Sequence, residues 1–462
     1  MQKVHLIGIE GIGMSGLAEL LLAAGYEVSG CDLRPGAYAQ RLASKGATIM
    51  SGHCISHIHA KLDIVVASPA VDQNHPELAA AARQNIPVLR YTEMLSQLMH
   101  DRRQIAVAGT HGKSTTTGML TWLMHSAGLA PSFVVGANVP QLESNAGLGQ
   151  SDFFVVEACE YRRSFLKFTP ESAIVTNIEA DHLDYYRDLD DIVMAFEEFA
   201  AKLAPQGILV IDSEAFARFH SKPACQVATY RMDDPAADWR VANIAKLPCG
   251  HTFDVLHQGQ LFGNFTSRLP GMHNVGNSLA VIAMGHFLGI ALADIQTAIA
   301  SYEGVGRRFE ILAKSPVTII SDYAHHPTKV KALLQATREV FDKAKLWMVY
   351  QPHQANRTYK LFAEFTRAFE LADEIIITDI FYARDSQADR DRVSGRQLAD
   401  AIAAQGKECR HLSQFAEIAA WLRSRWQPGD VVLVAGAGTI VELAEMLAGD
   451  GANPRESVVV TM

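Results

Sequence analysis

One local pattern limits the folds open to this chain more than any other, and it occurs twice. An apolar strand-like run breaks into a glycine-rich turn and resumes with helical spacing. The first case is VHLIGI entering Gly8-Ile9-Glu10-Gly11-Ile12-Gly13-Met14-Ser15-Gly16, and the second is IAVAGT entering Gly109-Thr110-His111-Gly112-Lys113-Ser114. Glycines let backbone N–H groups face an anion without a Cβ in the way, and the following helix adds the positive end of its dipole. Such turns belong to parallel, doubly wound sheets, and the flanking sequence agrees. YEVSGCDL and LDIVVASPAV follow the first turn as strands, and FFVVEA, SAIVTNI and GILVI follow the second. From Glu310 onward VTIISD, KLWMVYQPH, EIIITDIF and DVVLVAGAG alternate with helical patterns, while TFDVLHQGQLFGNF has the alternation of antiparallel strands.

At 462 residues the chain exceeds one core, and roughly 150 residues per domain gives about three. The charged stretch DRRQ and the basic pair Arg307-Arg308 mark the breaks. The reading is α/β throughout: a Rossmann-like domain over 1–101, a central P-loop-type ATPase domain over 102–309, and a Rossmann-like domain over 310–462. A net charge of −9 argues against nucleic acid or an anionic membrane as the main partner. The six cysteines are scattered without a CxxC pair, which offers neither a disulfide framework nor a thiolate zinc site. The N-terminus shows no signal-peptide pattern, and no apolar run reaches the roughly 18 residues of a membrane span, so a cytoplasmic protein is predicted.

The second glycine turn carries the sharper chemistry. Lys113 is placed to hold β/γ-phosphate oxygens and Ser114 to ligate Mg²⁺. Val107 stands where a standard Walker A loop has its distant first glycine, so this is the shorter GTxGK[ST] type. The first turn, with Asp32 ending the next strand, also fits a dinucleotide and its ribose. Glu157 closes a strand at the ligand-facing end, suited to Mg²⁺, with Glu160 three residues on and His182 after NIEAD. Asn274 and Asn277, at a helix start after LPG, suit either adenine contacts or capping. Arg307-Arg308 is either a solvated hinge or a source of charge for phosphate on domain closure. Asp322 ends a strand and can accept from a ribose; adjacent His325 and His326 diverge, which disfavours a metal pair.

Taken in order, GIEGIGMSGLAE, IPVLRYTEML, GTHGKSTTT, NIEADHLDYY, LPGMHNVGN, GVGRRFE, DYAHHPT, QPH…RT and GAGTI resemble the Mur ligases over almost the full length. The resemblance implies an ATP-dependent ligase with Mg²⁺ that adds L-alanine or a similar small amino acid to the carboxylate of UDP-N-acetylmuramate through an acyl-phosphate. It gives the first domain to the UDP-sugar, the central one to ATP and the last to the amino acid. It implies roles for Lys113, Glu157 and His182 in catalysis, and for Ser114, Glu157 and His182 at the metal. ATP would fall to Gly109, Thr110, His111, Gly112, Lys113, Ser114, Thr115, Asn274, Asn277, Arg308 and Asp322. The substrates would fall to Gly11, Ile12, Gly13, Met14, Ser15, Asp32 and Ser68, and to Tyr323, His325, His353 and Arg357.

Two segments depart from the family pattern. EADESD-x-SF is here Glu157-Ala158-Cys159-Glu160-Tyr161-Arg162-Arg163-Ser164-Phe165, and QPHRYTRT is Gln351-Pro352-His353-Gln354-Ala355-Asn356-Arg357-Thr358. The rival readings are a ligase that attaches a whole tripeptide, a nucleotide-binding regulator without turnover, and a dinucleotide-dependent oxidoreductase.

Overall fold

The computed structural model describes residues 1–383 and 385–449. Its architecture is three α/β units, each built on its own sheet. The first sheet joins β1 (Lys3–Ile7), β2 (Glu27–Asp32), β3 (Thr48–Ser51), β4 (Ile64–Ala67) and β5 (Val88–Arg90), all parallel, in the order β3-β2-β1-β4-β5. Strand order reverses beside β1, so the glycine turn leaving β1 lies at the crevice where such sheets take ligands. The helices α1 (Ile12–Ala23), α2 (Ala37–Ser44), α3 (Pro76–Arg83) and α4 (Tyr91–Met99) cover its faces. Burial on both faces explains why β1 shows no apolar–polar alternation: Val4, Leu6 and Ile7 are buried, and so is the one polar residue between them, His5.

The second sheet has ten strands: β6 (Arg103–Ala108), β7 (Ser132–Val139), β8 (Ser144–Gly147), β9 (Phe153–Glu157), β10 (Ser172–Val175), β11 (Ile208–Asp212), β12 (Gln226–Tyr230), β13 (Trp239–Lys246), β14 (His251–His257) and β15 (Gln260–Ser267). Their order is β15-β14-β13-β12-β11-β10-β6-β9-β7-β8, which puts β6 between β9 and β10. The strands β13–β15 form the antiparallel meander expected from their alternating sequence. Helix α5 (Lys113–Ser126) leaves the second glycine turn and is buried along most of its length. It packs between the sheet and the helix Met272–Phe287, so its sequence shows no clean apolar stripe.

The third sheet joins β16 (Glu310–Ala313), β17 (Thr318–Asp322), β18 (Leu346–Tyr350), β19 (Glu374–Ile377), β20 (Glu408–His411) and β21 (Val431–Ala435) in the order β16-β17-β21-β18-β19-β20. Only the edge strand β16 is antiparallel to its neighbour. Among the described residues no helix is long and apolar enough to cross a membrane.

The units meet through specific contacts. One apolar core runs from Leu17, Leu21 and Met94 of the first unit into Val156, Phe165 and Phe196 of the second. Each such fully buried side chain contributes about 1.5–3 kcal/mol. Helix α1 lies so close to β8 that a Cβ on Gly16 would stand 2.6 Å from Asn145 Nδ2. Asn145 Nδ2 in turn donates to the Ile12 carbonyl at 2.8 Å. The third unit follows a turn in which Arg307 and Phe309 both have positive φ, 57° and 49°. Asp322 braces that turn by accepting from the Phe309 N–H at 2.8 Å.

Candidate active site

The turn after β6 is shaped by two glycines with positive φ, Gly109 at 132° and Gly112 at 81°. A Cβ on Gly109 would come 2.0 Å from Thr176 Oγ1, and one on Gly112 would come 2.7 Å from Asn277 Oδ1. Only glycine fits either place. The end of β10 pins the turn: the Thr110 N–H donates to the Asn177 carbonyl at 3.0 Å, and the His111 N–H to Asn177 Oδ1 at 2.9 Å. Lys113 then folds back over the turn. Its ammonium donates to the Gly109 carbonyl, to the Thr110 carbonyl at 3.3 Å, and to Glu160 Oε2 at 2.8 Å.

Two carboxylates, Glu157 at the end of β9 and Glu160 just beyond it, complete the centre. Ser114 Oγ donates to Glu157 Oε1 at 3.1 Å, and the Gly136 N–H donates to Glu157 Oε2 at 2.6 Å. Glu160 is buried; burial would push its carboxyl up, but Lys113 and His182 overcome this and hold it at about 2. His182 has a positive φ of 53°, and its Nε2 approaches Glu160 Oε1 at 3.5 Å. Grouped with Ser114 and Glu157 in the sequence reading, His182 is thus paired with Glu160 in the structure. The backbone turns away at Asp181, and the ring follows the lysine–glutamate pair. The Asp181 side chain accepts from the His182 N–H at 2.7 Å, within an irregular turn.

These groups open into one cleft of about 3280 Å³, walled by all three units. That is several times the roughly 300–1,000 Å³ of an ordinary small-molecule pocket. The cleft gathers Thr110 to Thr115, Glu157, His182, Asn274, Asn277, Arg308, Asp322, Tyr323, His325, His353 and Arg357. Among the described residues His111 Nδ1, His182 Nδ1, Asn138 Oδ1 and Arg307 Nε are buried polar atoms of cleft residues without a hydrogen-bond partner. Such unsatisfied atoms are expected where a polar ligand completes the set.

Several expected residues serve differently from the sequence reading. From the first unit Ile12 lines the cleft, whereas Gly11, Gly13, Met14, Ser15, Asp32 and Ser68 are not part of its wall. Met14 and Ser15 are buried within α1, and the Ser15 hydroxyl donates back to the Ile12 carbonyl at 3.0 Å. Asp32 accepts from the Glu10 N–H at 3.2 Å and the Arg34 N–H at 3.3 Å, so it shapes its own loop. Both Asp322 oxygens are taken by backbone, the second by the Ala324 N–H at 2.7 Å. That makes it a brace rather than an open ribose acceptor. Asn274 donates to the Pro270 carbonyl at 2.7 Å and accepts from Asn277 Nδ2 at 3.0 Å.

Arg357 shows the largest departure. The reading gives it to an incoming carboxylate, yet its Nη2 lies 3.1 Å from Asp181 Oδ1, both groups buried. Burial alone would raise the Asp181 carboxyl; Arg357 and His182 hold it well below the usual range. With Thr328 reaching Glu179 at 3.4 Å and Lys360 Nζ donating to the Leu183 carbonyl at 2.7 Å, this pair clamps the third unit onto the second. The two arginines of the altered central segment are engaged away from the third unit. Arg162 lies over Tyr161 at 5.4 Å, and Arg163 pairs with Asp191 at 2.9 Å.

The reading also passed over Glu160, Asp181 and Lys329 as site residues. The first two lie inside segments it quoted, and Lys329 follows His326-Pro327-Thr328 on the cleft side of a new helix. Burial and the nearby Arg308 lower its ammonium to about 7.

Known families match each of the three units. The profiles described as Mur ligase family, catalytic domain; Mur ligase middle domain; and Mur ligase, glutamate ligase domain match residues 3–103, 107–285 and 307–438. The UDP-N-acetylmuramate–L-alanine ligase of Syntrophus aciditrophicus is 40% identical over 95% of this chain and 92% of its own length. That of Clostridium acetobutylicum is 38% identical over 96% and 97%. The solved UDP-N-acetylmuramate–alanine ligase of Thermotoga maritima superposes with a TM-score of 0.84 at 26% identity, covering 97% and 98% of the two chains. A murein peptide ligase from Psychrobacter arcticus shares the fold at 22% identity and a TM-score of 0.75, covering all of both chains. From its first glycine turn to its third sheet, this chain belongs to the Mur ligase family.

Proposed function

We propose that this chain is an ATP-dependent ligase that joins L-alanine to the carboxylate of UDP-N-acetylmuramate, a step of peptidoglycan precursor synthesis in the cytoplasm. The observation that carries the reading is Lys113, held over a glycine turn beside Glu160 and opening into a cleft that three units share. Relatives of that name, 38–40% identical over nearly the whole chain, support the choice of substrates. In this reading residues 1–101 take the UDP-sugar, 102–309 take ATP and 310–462 take the amino acid.

The reaction needs a carboxylate made electrophilic. A sugar carboxylate oxygen attacks the γ-phosphorus of ATP, the bond to the bridging oxygen breaks, and ADP leaves. The L-alanine nitrogen then attacks the acyl carbon, and the tetrahedral intermediate collapses to the amide and inorganic phosphate. Lys113 and the N–H groups at the N-terminus of α5 hold the transferring phosphate and offset the charge that develops on it. The hydroxyl of Ser114 and the carboxylate of Glu157, 3.1 Å apart, form an all-oxygen donor pair suited to Mg²⁺. When bound there, Mg²⁺ neutralises charge on the β- and γ-phosphates. Asp181 and Arg357 keep the third unit close enough to exclude water from the acyl-phosphate.

The test is phosphate release from ATP and UDP-N-acetylmuramate with L-alanine, glycine, L-serine or the tripeptide L-alanyl-γ-D-glutamyl-meso-diaminopimelate. L-alanine should give the highest kcat/KM. Preference for the tripeptide would replace this reading with the peptide-adding one, and no release with any amine would leave a regulator.

A further inference from the structure

The first unit holds a side-chain cluster that this chemistry does not use. Glu77, in the first turn of α3, is fully buried. Its carboxylate meets Cys31 Sγ at 3.1 Å and His57 Nδ1 at 2.8 Å, and it accepts from the Cys54 N–H at 2.8 Å. Farther out stand His53 Nδ1 at 3.7 Å and His75 Nδ1 at 3.9 Å. No lysine or arginine is among the partners described for Glu77, so this buried anion has no permanent cation beside it. One ligand atom each from His5, Cys31, His57 and Glu77 lie within 4.8 Å of one another.

His5 supplies a second, independent observation. Its Nδ1 is 3.0 Å from Ser29 Oγ, whose own hydrogen goes to the Val4 carbonyl at 3.3 Å. Ser29 therefore accepts from Nδ1–H, which leaves the lone pair on Nε2. That nitrogen is buried and has no hydrogen-bond partner. A histidine whose far nitrogen is fixed by a hydrogen bond while the near one is bare is the usual arrangement of a metal ligand.

We propose that His5, Cys31, His57 and Glu77 form a structural site for Zn²⁺ or a similarly soft divalent cation. The donor set is one sulfur, two imidazole nitrogens and one carboxylate oxygen, a set zinc accepts in tetrahedral geometry. Bonds of about 2.0–2.3 Å place neighbouring ligand atoms roughly 3.3–3.8 Å apart, so closure asks for a shift of roughly 1 Å. On binding, the Cys31 thiol releases its proton to solvent. Thiolate and carboxylate then balance the dication, and the buried site becomes neutral. Such a site would tie together β1, β2, the turn Ile55–His57 and α3. It lies directly beneath the first glycine turn, because the Cys31 carbonyl accepts from the N–H groups of Gly8 at 2.8 Å and Ile9 at 3.1 Å. No pair of ligands is close in sequence, which is why cysteine spacing gave no sign of it.

The experiment uses the full, tag-free chain, loaded with Zn²⁺ and desalted in excess Mg²⁺, then measured for metal content. One retained zinc per chain is expected; none retained would overturn the proposal. Co²⁺ loading should give tetrahedral d–d bands and a thiolate charge-transfer band. The charge-transfer band should vanish in Cys31→Ser and persist in Cys54→Ser, whose thiol is exposed. An unchanged band in Cys31→Ser would also overturn it. Should Cys31→Ser fail to fold, His57→Gln decides, since His57 is less deeply buried. Its zinc affinity, by chelator competition, should fall at least about tenfold, because losing even an outer-shell partner costs that much. Equal affinity would refute the site.

Discussion

The two glycine turns share a strand–turn–helix grammar and differ in what surrounds it. After β1 the turn is backed by apolar packing: α1 presses on β8, and the glutamate within the turn is spent on its neighbour. Glu10 accepts from the N–H groups of Gly36 and Ala39 at 2.8 and 2.9 Å, filling the N-terminus of α2. After β6 the turn is backed by ions, with Lys113 against Glu160 and Ser114 against Glu157. Among the described residues the first turn carries no ion pair of its own at the cleft, and the second carries charge that is balanced from a neighbouring strand. A glycine pattern therefore locates a strand–turn–helix junction, while the residues at the end of the adjacent strand decide which charges meet there.

The largest expected effect separates the turns by charge. Lys113→Ala should lower kcat by at least about 10²–10³-fold in phosphate release, since it removes the cation over the transferring group. It should also lower the melting temperature, because Glu160 is left buried with, among the described residues, only His182 beside it, and breaking a buried ion pair costs up to about 3–5 kcal/mol. Adding Glu160→Gln should recover the melt without recovering turnover. Substantial activity in the single variant would dissolve the contrast.

Shape comes next. Gly109→Ala forces a Cβ to 2.0 Å from Thr176 Oγ1 at a φ of 132°, whereas Gly8→Ala meets Ser68 Cβ at 3.0 Å at a φ of 82°. Left-handed strain of about 1–2 kcal/mol applies to Gly8→Ala, which should raise the KM for the UDP-sugar about tenfold and leave that for ATP alone. Gly109→Ala should cost about a hundredfold in kcat/KM for ATP. Equal losses for both nucleotides in either variant would mean that the turns are not separate sites.

Smaller still, Glu157→Gln removes one anionic oxygen beside Ser114, and the Mg²⁺ concentration for half-maximal rate should rise about tenfold. An unchanged titration would take Glu157 away from the metal. The smallest effect concerns pH. Lys329, lowered to about 7 by burial and Arg308, is charged below that value and neutral above it. A polyanion binds the charged form better, so ATP affinity relative to Lys329→Arg should fall a few-fold from pH 6 to pH 8. A flat ratio would place Lys329 away from the phosphates.

Much of this was legible along the chain. Buried parallel strands read as apolar runs, and the helices after each turn follow from spacing, because both depend on neighbours close in sequence. Lys113, Ser114 and Glu157 were legible for the same reason: each closes a strand or opens a helix at the ligand side of a sheet. Asp322 looked like a ribose acceptor because it ends a strand, but both oxygens serve the turn that joins two units. Arg357 looked like a free cation because Asp181, its partner, is 176 residues away.

Sequence by itself thus determined the three α/β units, the phosphate turn and the family, since composition, periodicity and contiguous motifs fix these through local interactions. Tertiary structure alone decided which charges cancel. Glu160 was claimed by Lys113, Asp181 by Arg357, and three scattered side chains, His5, Cys31 and His57, were gathered around Glu77. The reason is physical: the state of a buried charge depends on burial and on what stands within a few ångströms, and neither is encoded by position along the chain.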